Sequence, residues 1–127
     1  EGLICHALPS TPPRRPDGYG LAWERINIHG GARAIHIMRH SIASSLPQLF
    51  KDISMTDQTG KKIRVNEIAN SGTIPGLHDF VNCGIGPLDI DMGGALPGTV
   101  IRIQQGNQAW RMVGSGAVTS ISPFYPP

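Results

Sequence analysis

Three of the five histidines of this 127-residue chain, His29, His36 and His40, fall within INIHGGARAIHIMRH (residues 26–40), around the pair Gly30-Gly31. Neutral imidazoles ligate zinc and carry protons near neutral pH, so this density asks first for a metal or acid–base site. Spacing limits what the three can do together. If Gly30-Gly31 is a two-residue hairpin turn, His29 and His36 sit four residues apart along the paired strands, roughly 13 Å at ~3.3 Å per residue, and His40 is as far again from His36. Zinc holds nitrogen at ~2.0–2.1 Å, so no two of them share one ion on a flat hairpin. A zinc site therefore needs His29 or His36 joined by a residue that the fold brings in, and His78 is expected, with His6 or a carboxylate as substitutes. Asp79, beside His78, suits either a direct ligand or an acceptor that orients an imidazole. Were residues 34–44 helical instead, His36 and His40 would share a face at i, i+4.

The hairpin register sorts the side chains into two faces. Ile26, Ile28, Ile35 and Ile37 fall on one and read as core; Trp23, Arg25, Asn27, His29, His36, Met38 and His40 fall on the other. Trp23, Arg25 and Asn27 are the candidate ligand platform, because an aromatic face packs on a sugar ring and an amide hydrogen-bonds to hydroxyls. Other chemistry has thinner support. Asp89-Ile90-Asp91-Met92-Gly93 has the first spacing of a calcium loop but lacks its later ligands, and reads as a solvated strand edge. No Gly-x-Ser-x-Gly elbow accompanies the serines. A metal-dependent hydrolase using His29, His36 or His78 with Asp79 is the third functional reading, and the chain is read as a binding protein before an enzyme.

The elements that must position these residues read as β. Sixteen glycines and eleven prolines separate short runs rich in Ile, Val and Thr. Residues 1–20 form an irregular Pro-rich arm, in which LPSTPPRRPDGYG (8–20) runs over the surface. A hairpin is expected over 26–39. SSLPQLFKDI (44–53) places Leu46, Leu49, Phe50 and Ile53 at helical spacing and predicts one short helix. Strands are expected in KKIRVNEI, TVIRIQ (99–104), QAWRMV (108–113) and AVTSI (117–121), with a turn at Gly106-Asn107, and residues 122–127 resemble a linker. No fixed-period repeat is evident. The fold class expected is mainly β, an antiparallel β-sandwich with one short helix, in a single domain over 1–127.

Composition excludes several classes. A net charge of +2 with scattered Lys and Arg argues against nucleic acid, and no apolar run reaches the ~20 residues of a membrane span. Cys5 and Cys83 are the two cysteines, without CxxC spacing. They read as a structural disulfide worth about 4–5 kcal/mol in an oxidising compartment, the alternative being two buried thiols. The first residue is Glu1, which reads as a processed mature protein or a fragment.

Two resemblances carry residues over. Ile37-Met38-Arg39-His40-Ser41 resembles the Arg-His start of the histidine phosphatases, with Ser41 in place of Gly. The small size, absent initiator Met, lone cysteine pair, short central helix, GGALPG (93–98) and Pro-rich end together resemble the receptor-binding domain of a chaperone-usher fimbrial tip adhesin, of the zinc-dependent mannose-resistant Proteus-like class. That resemblance places the early strand at WERINIHGG with His29, the helix at LPQLFKDI, and the later zinc histidine at His78. The class uses a His-x-His pair, which this chain lacks, so His36 or His6 would fill the second place. It implies a secreted or cell-surface protein at a fimbrial tip, partnered by a host or surface glycan or glycoprotein and by other fimbrial subunits. The alternative is a structural or assembly subunit of a pilus or virion.

Overall fold

The computed structural model describes residues 2–6, 16–38, 47–67, 76–114 and 117–122, with backbone alone at 3–6 and 117–122. Its strands are β1 (Leu3–His6), β2 (Leu21–Glu24), β3 (Asn27–His29), β4 (Ile35–Met38), β5 (Gln48–Lys51), β6 (Ser54–Thr56), β7 (Ile63–Asn66), β8 (Leu77–Val81), β9 (Ile90–Gly94), β10 (Val100–Gln104), β11 (Trp110–Gly114) and β12 (Ala117–Ser122). They form a four-stranded sheet β1-β4-β7-β9, a six-stranded sheet β12-β11-β10-β8-β5-β2 and a two-stranded sheet β3-β6. The fold is mainly β. Seven of the nine described pairings are parallel; only β10–β11 and β11–β12 are antiparallel.

Parallel neighbours cannot be joined by a tight turn. Here the return path between them runs through the other sheets. The chain passes from β1 to β2 to β3, and β4, β5 and β6 then lie beside those three in the same order. β7 and β8 repeat the step on β4 and β5, and β9 and β10 repeat it on β7 and β8. The protein is thus a stack of coils, closed at one end by β11 and β12 folding back antiparallel on β10.

Inward side chains of equivalent strands stack along the coil axis. Ile35, Ile63 and Ile90 are in register, as are Ile37 and Val65. All five are buried. In the six-stranded sheet Trp23, Phe50, Phe80 and Ile103 share a register row, and the Phe50 and Phe80 rings stack with centroids 4.5 Å apart. Burying each such side chain stabilises the fold by about 1.5–3 kcal/mol, so the columns hold successive coils together. The corners repeat as well. Arg25 (φ 57°) and Asp52 (φ 54°) each follow the strand of the six-stranded sheet, and Gly30 (φ 79°) and Asp57 (φ 61°) come five residues later. The left-handed conformation turns the chain sharply between sheets, and glycine and aspartate are among the residues that adopt it at least cost.

Several expectations are corrected by this architecture. An antiparallel sandwich is replaced by largely parallel, mixed sheets. The 26–39 segment is not a hairpin: Gly30-Gly31 has the expected positive φ angles, but it links β3 to a strand of a different sheet. The Ile28, Ile35 and Ile37 core face nevertheless holds, with Ile26 packed against it, because period-2 alternation orients side chains whatever the partner strand. In place of a helix across 44–53, Gln48–Lys51 is β5, paired on both sides by β2 and β8; residues 44–46 lie outside the described residues. Two flanking ladders outweigh the weak helical spacing. Within the expected arm, Leu3–His6 is a strand and Tyr19 is buried. The four strands expected around β7, β10, β11 and β12 are present. A repeat does exist: 28 residues separate Ile35 from Ile63 and 27 separate Ile63 from Ile90.

Candidate functional site

The open outer face of the four-stranded sheet carries the candidate site. Outward positions of β4, β7 and β9 place His36, Arg64 and Asp91 in one register row. Arg64 Nη1 donates to Asp91 Oδ2 at 2.9 Å, and both side chains are more than a third exposed. The corner preceding these strands adds a second row one coil apart. Gly60 N donates to Ala32 O at 2.9 Å, which fixes Arg33 above Lys61 by the same 28-residue offset as Ile35 and Ile63. Of these, Arg33, Lys61, Arg64 and Asp91, with Ala32 and Gly60, line a groove of about 460 Å³, and His36 lies outside it. A Cβ built on Gly60 would lie 2.9 Å from Ala32 O, so glycine is what lets the two coils close up here.

The expected ligand platform is not assembled on one face. Trp23 turns inward, in register with Phe50 and packed against the core. Arg25 is exposed at the corner after β2, and Asn27 is exposed on β3, where its Oδ1 accepts from Ser54 Oγ at 2.9 Å. The three zinc candidates lie on three sheets. His29 is exposed on β3, with Nδ1 3.0 Å from Thr56 Oγ1 and 3.3 Å from Asp57 Oδ2. His36 points outward from β4, half-buried, and His78 is buried on β8. Among the described residues no three His, Cys, Asp or Glu side chains group as a metal site. The side chain of His6, and all of His40, lie outside the described residues.

Strand β8 instead carries two buried polar clusters on opposite faces. Inside, His78 Nε2 lies 3.7 Å from Glu67 Oε2, both residues almost wholly buried. Glu67 Oε1 accepts from the Thr99 hydroxyl and from Leu96 N at 3.2 Å, and Thr99 Oγ1 accepts from Gly76 N at 3.0 Å. Burial pushes the Glu67 carboxyl up, but the His78 imidazole, the Thr99 hydroxyl and the Leu96 N–H together hold it below the usual carboxylate range. Outside, Asp79 takes a bidentate ion pair from Arg102, one coil on, with Nη2 2.6 Å from Oδ2. The Tyr19 hydroxyl donates to the same carboxylate at 2.5 Å. Burial, then the Asp79 contact, raises the phenol above its ordinary range. Both clusters are closed to solvent, so neither is a place for a substrate.

Cys83 carries a free, buried thiol that lies 3.4 Å from Phe50 O and from Val81 O. Burial raises its pKa. The side chain of Cys5, its expected disulfide partner, lies outside the described side chains. No family model matches the chain, and neither a curated protein nor a solved structure does.

Arg33, Lys61 and Arg64 were not evident as a group from sequence spacing. The available signal is the alignment of inward isoleucines 35, 63 and 90, which superposes Arg33 on Lys61 and His36 on Arg64 and Asp91. Read as a hairpin, the same residues scatter over unrelated elements.

Proposed function

We propose that this protein is a non-catalytic binding module that holds a glycan against the outer face of its four-stranded sheet. The observation that supports the reading is the groove walled by Arg33, Lys61 and Arg64 on a floor of small residues. Shallow clefts lined by a few fixed polar groups on a rigid scaffold suit oligosaccharides, whose hydroxyls and substituents need many directed hydrogen bonds. The stacked coils supply that rigidity. A hydrolase has less support, because Asp79, which it needs together with His29, His36 or His78, is buried and held by Arg102 and Tyr19, and His78 is buried on the opposite face of β8. Zinc plays no part in this reading, since its three candidate ligands sit on three sheets. A secreted or cell-surface location, and the fimbrial adhesin resemblance that implies it, belong to the same proposal and rest on sequence alone.

A glycan array, run with zinc and with chelator and followed by product analysis of each hit, tests it. Binding without turnover, lost when groove residues are substituted, is the expected result. Metal-dependent turnover would move the protein to the hydrolase reading.

One observation favours the assembly-subunit alternative. Among the described residues β1, β2 and β3 each pair on one side only, so no described strand covers the coil end they form. Sedimentation across a concentration series separates the two readings: self-association without ligand supports assembly.

A further inference from the structure

The groove is bounded by rows of side chains that the coil repeat itself sets out. One wall is the corner row, with Arg33 on the first coil and Lys61 on the second; the other is the strand row, with Arg64 on the second coil and Asp91 on the third. The floor where the first two coils meet is a backbone ladder, in which Thr59 N and Gly60 N donate to Gly31 O and Ala32 O, each at 2.9 Å. Walls related by the repeat run parallel to the coil axis, so the groove between them runs that way too and spans three coils. Its step is fixed at the ~4.7–4.9 Å that separates neighbouring strands. At about 460 Å³ it lies within the ~300–1,000 Å³ of ligand sites and holds more than one sugar ring.

Resting on the glycan-binding reading above, we infer that the groove takes an unbranched oligosaccharide laid along the coil axis, one ring to each of three coils. A pyranose ring in an extended chain advances by about one strand spacing, so successive rings meet equivalent places on successive coils. A branch or a sharp bend would carry the next ring off the row. The walls suit hydroxyl groups, which both donate and accept: the Lys61 ammonium and the Arg64 guanidinium donate, and the Asp91 carboxylate accepts. The contact between Arg64 and Asp91 exhausts neither. Arg64 Nη1 gives one of the five N–H bonds of its guanidinium to Asp91 Oδ2, at 2.9 Å, and each carboxylate oxygen has two lone pairs. Lys61, exposed on the middle coil, is within reach of a ring on either side. Glycine at position 60 keeps the floor flat between the first two coils.

The test is calorimetric titration of the intact chain with three unbranched ladders of one to six rings: cello-oligosaccharides, chito-oligosaccharides and oligogalacturonates. In at least one ladder the affinity should rise at least ~10-fold, or 1.4 kcal/mol, between one ring and three. From three rings to six it should rise no more than about four-fold, the number of registers that six rings offer a three-ring site. Variants then assign the coils. Arg33→Ala, at the first-coil end, should bring a three-ring ligand down to the affinity of a two-ring one while changing two-ring binding less than about two-fold, since two rings still fit the other coils. Lys61→Gln, on the middle coil, should weaken both. The ladder on the natural protein decides the matter if Arg33→Ala melts early. Equal affinity for one ring and three, or a rise beyond the register gain from three rings to six, would overturn the inference while leaving the glycan reading intact. Equal losses of two-ring and three-ring binding in Arg33→Ala, or a Lys61→Gln variant that binds every ligand unchanged, would do the same. Silence in all three ladders overturns the inference and, if the glycan array is silent too, removes the glycan reading with it.

Discussion

Two Asp–Arg pairs bridge adjacent coils, one on the outer face of each large sheet, and they sit in opposite environments. Asp79 and Arg102 on the six-stranded sheet are buried, with Tyr19 laid over the carboxylate. Asp91 and Arg64 on the four-stranded sheet keep more than a third of their side chains in solvent. The local chemistry is the same, an outward acid in register with an outward arginine one coil away. The cover differs. A buried pair is costly to break because it strands a charge in low dielectric, whereas an exposed pair contributes little and leaves its arginine available to a ligand. One face therefore closes its ion pair away from solvent, and the other, the face proposed to bind, leaves its pair open to it.

Breaking the buried pair should have the largest effect. Asp79→Ala removes the carboxylate that takes the bidentate pair from the buried Arg102 and is expected to destabilise the fold by about 3–5 kcal/mol in chemical denaturation. An Asp79→Ala loss below 1 kcal/mol would mean that water reaches Arg102, and the contrast between the two faces would fail. The next effect belongs to the inward columns that both sheets share. Ile63→Ala, in the middle of the Ile35-Ile63-Ile90 column, should cost about 2–5 kcal/mol.

The sequence showed the second of these features far better than the first. Ile28, Ile35 and Ile37 are legible as core because alternation sets which side chains share a face, and this does not depend on whether the neighbouring strand is parallel or antiparallel. Partner choice is what sequence spacing left open. Gly30-Gly31 fits a primed hairpin turn and a coil corner equally well, since both need positive φ. The repeat was masked by unequal returns: Leu3 and Ile35 are 32 residues apart, whereas Leu77 and Val100 are 23 apart. The groove was illegible for the same reason, because Arg33 and Lys61 become neighbours only once the coils are aligned. Asp79 was singled out for standing beside His78, yet adjacent residues on a strand face opposite ways, which places one inside the coil and the other outside.

Tyr19 is the cover that makes the two faces differ, and removing its hydroxyl sharpens the comparison at intermediate cost. Tyr19→Phe leaves one buried Asp79 oxygen short of a donor and should destabilise by roughly 1–3 kcal/mol. The pH dependence of stability tests the cluster on the other side of β8. The folded-state pKa of Glu67 is depressed below its unfolded value, so its contribution is complete above the ordinary carboxylate range near 4.3 and is lost as pH falls through the lower folded value. Melts from pH 6 down to pH 2 should fall more steeply in the natural protein than in Glu67→Gln. Parallel curves would show that Glu67 does not stay ionised in the interior.

The smallest expected effect lies on the open face and is the most informative about function. Asp91→Ala removes the acid that pairs with Arg64, and because both side chains are well exposed the fold should lose no more than about 1 kcal/mol. What little is lost should fade in high salt, as screening weakens an exposed pair and leaves a buried one nearly untouched. Binding should move more than stability does. Without Asp91 the groove lining loses its one carboxylate, so association with a negatively charged probe should quicken at low salt. Arg64 also loses the contact that orients it, so the complex should dissociate faster. A variant that melts like the natural protein but shows both changes would establish that the exposed Asp–Arg pair arranges a binding surface, while its buried counterpart holds the coils together. A stability loss as large as that of Asp79→Ala would mean that the open face is covered in solution, and the groove would then have to be filled by another part of the protein.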